Sequence, residues 1–80
     1  MSDDEAAVMG QHGGYWQERL ENGRVVVFGP VSDPSGTWGL AVFEAGTEDE
    51  ARAVGADDPA VRSGMCTFDV FPMPVAIVRP

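Results

Sequence analysis

Residues 24–44 read RVVVFGPVSDPSGTWGLAVFE and hold two apolar runs separated by a turn signal. The first run, residues 24–28, is rich in β-branched valine, which favours a strand, and Gly29-Pro30 is expected to end it. Residues 33–36, Asp-Pro-Ser-Gly, match a type I turn with Asp first, Pro second and Gly last. A second strand is expected over residues 37–44, so the stretch predicts an antiparallel hairpin.

Strict alternation would make both faces of this hairpin apolar. Val25 and Val27 would share one face and Val26 and Phe28 the other, and residues 38–43 alternate in the same way. A sheet with two apolar faces needs a covering layer on each side. Two helices of one chain can cover one face, and a two-fold homodimer is the commonest cover for the second. The alternative is that small residues leave the second face only weakly apolar and exposed.

Helix signals flank the hairpin. Ser2 and Glu5 have the spacing of a capping box, which predicts a helix from the start of the sequence to a stop at Gly23. The dipeptide Asn22-Gly23 is also a hairpin signal, which leaves a second interpretation open. The predicted helix carries an apolar stripe at a spacing of three to four residues: Met9, Gly13, Trp16 and Leu20.

After the hairpin, Thr47 and Glu50 repeat the capping-box spacing and predict a second helix to about Gly55. Pro59 suits the first position of a short helical turn that runs through Arg62. Residues 65–78 are predicted to form a strand that is interrupted at Phe71-Pro72-Met73-Pro74, where the prolines imply an edge or a bend.

Composition predicts one small cytoplasmic domain over residues 1–80. The chain has 80 residues, 44% of them hydrophobic, and 13 acidic against 5 basic residues, which argues against nucleic acid as a partner. Its apolar runs are shorter than the roughly 20 residues needed to span a membrane, and its acidic first residues do not resemble a secretory signal. The single Cys66 fits a reducing compartment. A domain this small has a thin stability margin, which a partner subunit would widen.

The residues offer few candidates for chemistry. Neither a zinc, a calcium nor a phosphate-loop pattern is present, so we expect no metal and no cofactor. Cys66 lies in an apolar, alternating segment and is interpreted as a small core or interface residue. His12 borders the apolar stripe of the first helix, where a half-buried imidazole needs a partner such as a carboxylate. From the residues alone, a structural role for His12 is favoured.

The order and spacing of several short elements resemble the YciI-like (YCII-related) family over residues 4–78. These elements are His12, Tyr15 and Trp16, then Gly23, Gly29-Pro30, Glu50-Ala51 and Asp58-Pro59. The resemblance implies a ferredoxin-like βαββαβ fold, in which an antiparallel sheet packs on two helices. It also implies that two such domains pair sheet to sheet as a dimeric α+β barrel.

The resemblance further implies a catalytic pair, His12 and Asp58, in a cleft near the first helix. A carboxylate bonded to one ring nitrogen would fix the tautomer, and the other nitrogen could then act as a general base or acid. The competing interpretation of Asp58 is a helix N-cap before Pro59. The motif residues predicted to bind a ligand are Tyr15, Trp16, Gly29 and Pro30.

A similar protein removes chloride from a chlorinated hydroxyquinone, and related proteins isomerise lactones. The resemblance therefore implies a cofactor-independent lyase or isomerase that acts on a small, partly apolar cyclic substrate. The alternative is a non-catalytic dimeric module that binds a small ligand or serves as an accessory. The sequence leaves open whether the protein is an enzyme.

The sequence departs from the family at its start. Members begin with a β-strand that lies in the middle of a four-stranded sheet, and a helix cap at Ser2 leaves no room for it. The prediction is thus an N-terminally incomplete αββαβ domain. The missing strand has three explanations: the true start lies upstream, the last strand shifts to pair with the Trp38 strand, or another chain donates a strand. The first is favoured, because the remaining sequence keeps the family pattern.

Overall fold

A computed structural model describes residues 2–80 of the chain. Three helices and two strands follow one another: α1 (Asp3–Glu21), β1 (Val25–Val31), β2 (Trp38–Phe43), α2 (Glu48–Ala56) and α3 (Pro59–Arg62). The two strands form one antiparallel sheet. The predicted α+β class and the helix–hairpin–helix order are confirmed, and they are compatible with the αββα part of a ferredoxin-like fold.

The first helix begins and ends as its sequence predicts. The Ser2 hydroxyl accepts the backbone N–H of Glu5 at 3.1 Å, and the Glu5 carboxylate accepts the backbone N–H of Ser2 at 3.3 Å. At the other end, Asn22 is the C-cap and Gly23 has a φ of 87°. Glycine adopts this left-handed conformation without the steric cost of a Cβ, so Asn22-Gly23 ends the helix and does not form a hairpin turn.

The turn between the strands is built on Asp33. The N–H of Gly36 donates to the carbonyl of Asp33 at 2.9 Å, which confirms the predicted turn. The backbone N–H and hydroxyl of Ser35 and the indole N–H of Trp38 donate to the Asp33 carboxylate and lower its pKa, because they stabilise the charged form. β1 continues to Val31, past the Gly29-Pro30 dipeptide that was predicted to end it. Pro30 is tolerated because β1 pairs with a strand on one side only.

A bulge in β1 changes which residues face the helices. Val25 lies opposite Phe43 and Val27 opposite Val42, so Val26 is an additional residue without a partner. Phe28 lies opposite Ala41, on the same face as Val25. The prediction that Val25 and Val27 share a face is therefore wrong, because strict alternation does not hold across a bulge.

One face of the sheet is covered and the other is not. The buried apolar residues are Trp16, Val25 and Ala60, and the ring centroids of Trp16 and Phe43 are 5.7 Å apart. On the opposite face, Val27 and Leu40 are 50% and 44% exposed. The core thus lies between α1, β1 and α3, and the second apolar face of the hairpin is open within residues 2–80.

The last predicted strand is not formed. Cys66 donates its N–H to the carbonyl of Ala60, and residues 67–80 form neither helix nor strand. Phe68 packs against α2, so closely that a Cβ added to Gly55 would lie 2.6 Å from its ring. Further along, Phe71 and Ile77 are 84% and 96% exposed. The segment has the composition of a strand but pairs with neither β1 nor β2 within residues 2–80.

Within residues 2–80, no helix combines the length and the apolar character that crossing a membrane requires.

Candidate functional site

The site centres on a contact between α1 and the start of α3. Nδ1 of His12 lies 2.8 Å from Oδ1 and 2.7 Å from Oδ2 of Asp58. Asp58 is the N-cap of α3, and its side chain is 7% exposed, whereas that of His12 is 31% exposed. The two residues are far apart in sequence, and α1 packs against α3 to bring them together.

Asp58 is both an N-cap and a partner of His12. Its Oδ1 accepts the N–H of Ala60 at 2.9 Å, and its Oδ2 accepts the indole N–H of Trp16 at 2.8 Å. The two interpretations of Asp58 that the sequence left open therefore hold together, because each carboxylate oxygen has more than one acceptor site. A buried carboxylate requires such donors, since burial without them costs several kcal/mol.

The donors around Asp58 determine the role of each nitrogen in His12. Trp16 Nε1 and the Ala60 amide can only donate, so the charged, acceptor-only form of Asp58 satisfies them best. Nδ1 of His12 must then carry a hydrogen and donate it to the carboxylate. In a neutral imidazole this leaves Nε2 as the acceptor. Within residues 2–80, the hydrogen bonds of the His12 ring are those of Nδ1, and the His12 side chain is 31% exposed.

Aromatic packing fixes the side chains next to the pair. Tyr15 and Trp16 meet edge to face with their ring centroids 5.2 Å apart, and the guanidinium of Arg19 lies 3.4 Å from the centroid of the Tyr15 ring. The Tyr15 hydroxyl donates to the carbonyl of Val54 on α2. These contacts tie α1 to α2 and hold the indole of Trp16 between Tyr15 and Phe43.

A groove of about 1700 Å³ opens beside the pair. Its walls are mainly apolar and consist of parts of β1 and β2, residues 66–74, and the parts of α1 and α2 that face them. His12 and Asp58 lie in its wall. The groove is larger than the roughly 300–1,000 Å³ of most small-molecule sites, so it has room for a small cyclic ligand beside the pair.

The structure brings three of the four predicted ligand-binding residues to the groove. Trp16, Gly29 and Pro30 line it, whereas Tyr15 is turned toward Val54. Their role in binding stays a prediction. Cys66 is exposed and lines the groove as well. The core interpretation of Cys66 is therefore wrong, and the interface interpretation stays a prediction. Among residues 2–80, no three His, Cys, Asp or Glu side chains cluster in a way that could hold a metal ion.

The contact between Trp16 and Asp58 was not predicted. The indole was interpreted as part of an apolar stripe and as a ligand contact, yet its N–H is satisfied by the carboxylate. One signal could have pointed to it. His12 and Trp16 are four positions apart on one helix, which places both on the same face and within reach of the same partner.

Fold and site together define a small α+β domain that holds an imidazole–carboxylate pair at the wall of an apolar groove. The model of the YCII-related domain matches residues 2–74, so the chain belongs to the YCII-related domain family. Neither the curated proteins nor the solved structures contain a significant match to the chain.

The environment of Tyr15 yields a pH-dependent prediction. Burial raises the pKa of Tyr15 above its ordinary value of 10.0, and the positive charge of Arg19 opposes part of this rise. Because the pKa of Tyr15 is raised in the folded state, Tyr15 stabilises the fold at pH values below its pKa in the unfolded state. This stabilisation is lost as the pH rises through its pKa in the folded state. Because the chain has a single Tyr, near-ultraviolet absorbance should show one phenol that ionises at a higher pH than free tyrosine.

The matched control for Tyr15 is Arg19→Gln, which removes the nearby cation and should move the ionisation to still higher pH. A phenol that ionises at or below the pH of free tyrosine would show that Tyr15 is not buried against α2.

Proposed function

We propose that the protein is a cofactor-independent lyase or isomerase that removes a proton from a small, partly apolar cyclic substrate. The observation that carries the proposal is the contact of Nδ1 of His12 with both oxygens of Asp58, in the wall of an apolar groove. A general base needs a defined tautomer, access to the substrate and a counter-charge for the imidazolium, and this arrangement offers all three.

In this mechanism Nε2 of His12 takes a proton from a ring carbon of the substrate. The electron pair of the broken C–H bond forms a new double bond in the substrate. In a lyase, chloride leaves with the electron pair of the C–Cl bond, and the imidazolium then gives its proton to water, which restores the base. In an isomerase, the imidazolium returns the proton at another carbon, and His12 and Asp58 regain their starting protonation states.

Asp58 stabilises the imidazolium that forms when His12 takes the proton. The carboxylate is already held by Trp16 and Ala60, so it need not reorganise during the reaction. Such preorganised charge is commonly a large contribution to catalysis. The apolar walls of the groove would bind the ring of the substrate and exclude water from the base.

We propose further that the protein is a cytoplasmic homodimer that pairs through the open face of its sheet. Val27, Trp38 and Leu40 lie on that face and are 50%, 48% and 44% exposed. A second copy would bury this apolar surface and supply the outer layer that a sheet with two apolar faces requires.

The first test of the proposed reaction compares His12→Ala and Asp58→Asn with the wild type. We expect the wild type to convert chlorinated hydroxyquinones or unsaturated lactones, with chloride release or ring absorbance as the readout. Removal of the base in His12→Ala should lower the rate by about 100- to 10,000-fold. Asp58→Asn keeps an oxygen for the N-cap but loses the charge, and we expect a smaller loss of kcat.

The control for this test is Gln11→Ala, an exposed position of α1 beside His12, which should keep the wild-type rate. Equal rates for the wild type and His12→Ala would refute the general base. Binding of these compounds without turnover would instead identify the protein as a ligand-binding module.

The dimer is tested by sedimentation velocity at micromolar concentration. The wild type should sediment as a dimer, and Leu40→Asp as a monomer, because the substitution places a charge in the apolar interface. Val75→Asp, at a position that is 78% exposed and outside the sheet, should remain a dimer. A monomeric wild type would contradict the proposed interface.

A further inference from the structure

Trp16 has a polar contact that a simple core residue would not need. Its side chain is buried, and Nε1 donates to Oδ2 of Asp58 at 2.8 Å. We infer that Trp16 is a positioning residue: its indole N–H orients the Asp58 carboxylate so that the carboxylate selects the Nδ1–H tautomer of His12. The inference rests on the proposed function, in which His12 is the base.

Two donors from different elements hold the plane of the carboxylate. The amide of Ala60 binds Oδ1 from α3, and the indole of Trp16 binds Oδ2 from α1. The torsion that rotates a carboxylate is broad and only weakly restricted by itself. With both donors in place, the two oxygens lie at almost equal distances, 2.8 and 2.7 Å, from Nδ1 of His12. Without the indole N–H, one of these two anchors is lost.

The direction of the indole is fixed by its own packing. Tyr15 meets the Trp16 ring edge to face at 81°, and Phe43 lies 5.7 Å away on β2. Tyr15 is in turn held by Val54 and Arg19. The N–H therefore has little freedom to leave Oδ2, so α1 positions the imidazole directly and the carboxylate through Trp16.

The two tryptophans of the chain provide a matched pair of variants. Trp38 also donates its indole N–H to a carboxylate, that of Asp33, at 3.2 Å and in an exposed turn. Trp16→Phe and Trp38→Phe each remove one indole N–H and keep an aromatic ring. Only the first removes a donor from Asp58.

The test reads the tautomer of the single histidine by NMR of ¹⁵N-labelled protein above neutral pH, without a substrate. The wild type should hold His12 mainly as the Nδ1–H form. Trp16→Phe should shift the population toward the Nε2–H form that free imidazole side chains prefer, and Trp38→Phe should leave it unchanged. With a substrate that the protein converts, Trp16→Phe should lower kcat and leave KM nearly unchanged.

A folded Trp16→Phe protein with the wild-type tautomer would overturn the inference and leave Trp16 as a core residue only. If Trp16→Phe does not fold, benzothienylalanine replaces Trp16 in the Trp38→Phe background, because it keeps the shape of the indole but lacks its N–H. A shift of the His12 tautomer toward Nε2–H would then support the inference, and the wild-type tautomer would overturn it. A tautomer change in a protein that converts no substrate would refute the proposed reaction but keep the role of Trp16. Loss of turnover in His12→Ala without a tautomer change in Trp16→Phe would support the proposed reaction and refute the role of Trp16.

Discussion

The buried carboxylate of Asp58 is the charge on which the site and much of the packing depend. It caps α3 through Ala60 and binds two residues of α1, His12 and Trp16. A carboxylate this deeply buried is tolerated only when donors surround it, because desolvation of an unpaired charge is too costly. The need of this carboxylate for donors holds α1 against α3. It also gives the imidazole of His12 a defined tautomer at the wall of an apolar groove.

Local signals in the sequence predicted most of the fold. The capping box at Ser2, the turn at Asp33 and the proline at the start of α3 each depend on a few neighbouring residues, and the structure contains all of them. At α2 only half of the predicted capping box forms: Thr47 accepts the N–H of Glu50, but the Glu50 carboxylate accepts the N–H of Gly46. The bulge at Val26 could not be predicted, since it depends on how β1 aligns with β2. The strand expected after residue 65 failed for the same reason, because pairing needs a neighbour that composition does not reveal.

For the site, residues alone favoured a structural role for His12, and only the resemblance to a family joined it to Asp58. No local pattern specifies a contact over 46 positions, since the packing of α1 on α3 creates it. The hydrogen bond from the Trp16 indole to the Asp58 carboxylate also arises from this packing, so no local pattern specifies it either. Within residues 2–80, β1 and β2 each have one unpaired edge, and the face with Trp38 and Leu40 is exposed. Unpaired edges and exposed apolar faces are surfaces through which proteins commonly associate, and the proposed dimer rests on this argument.

The coupling between His12 and Asp58 tests this account most directly. A double-mutant cycle with His12→Ala, Asp58→Asn and the double variant, followed by urea unfolding, isolates the free energy of their interaction. We predict a favourable coupling of about 1 kcal/mol or more, because the carboxylate is buried and the bond is charge-assisted. If the two substitutions instead add to within about 0.5 kcal/mol, the pair does not form and the proposed base has no oriented tautomer.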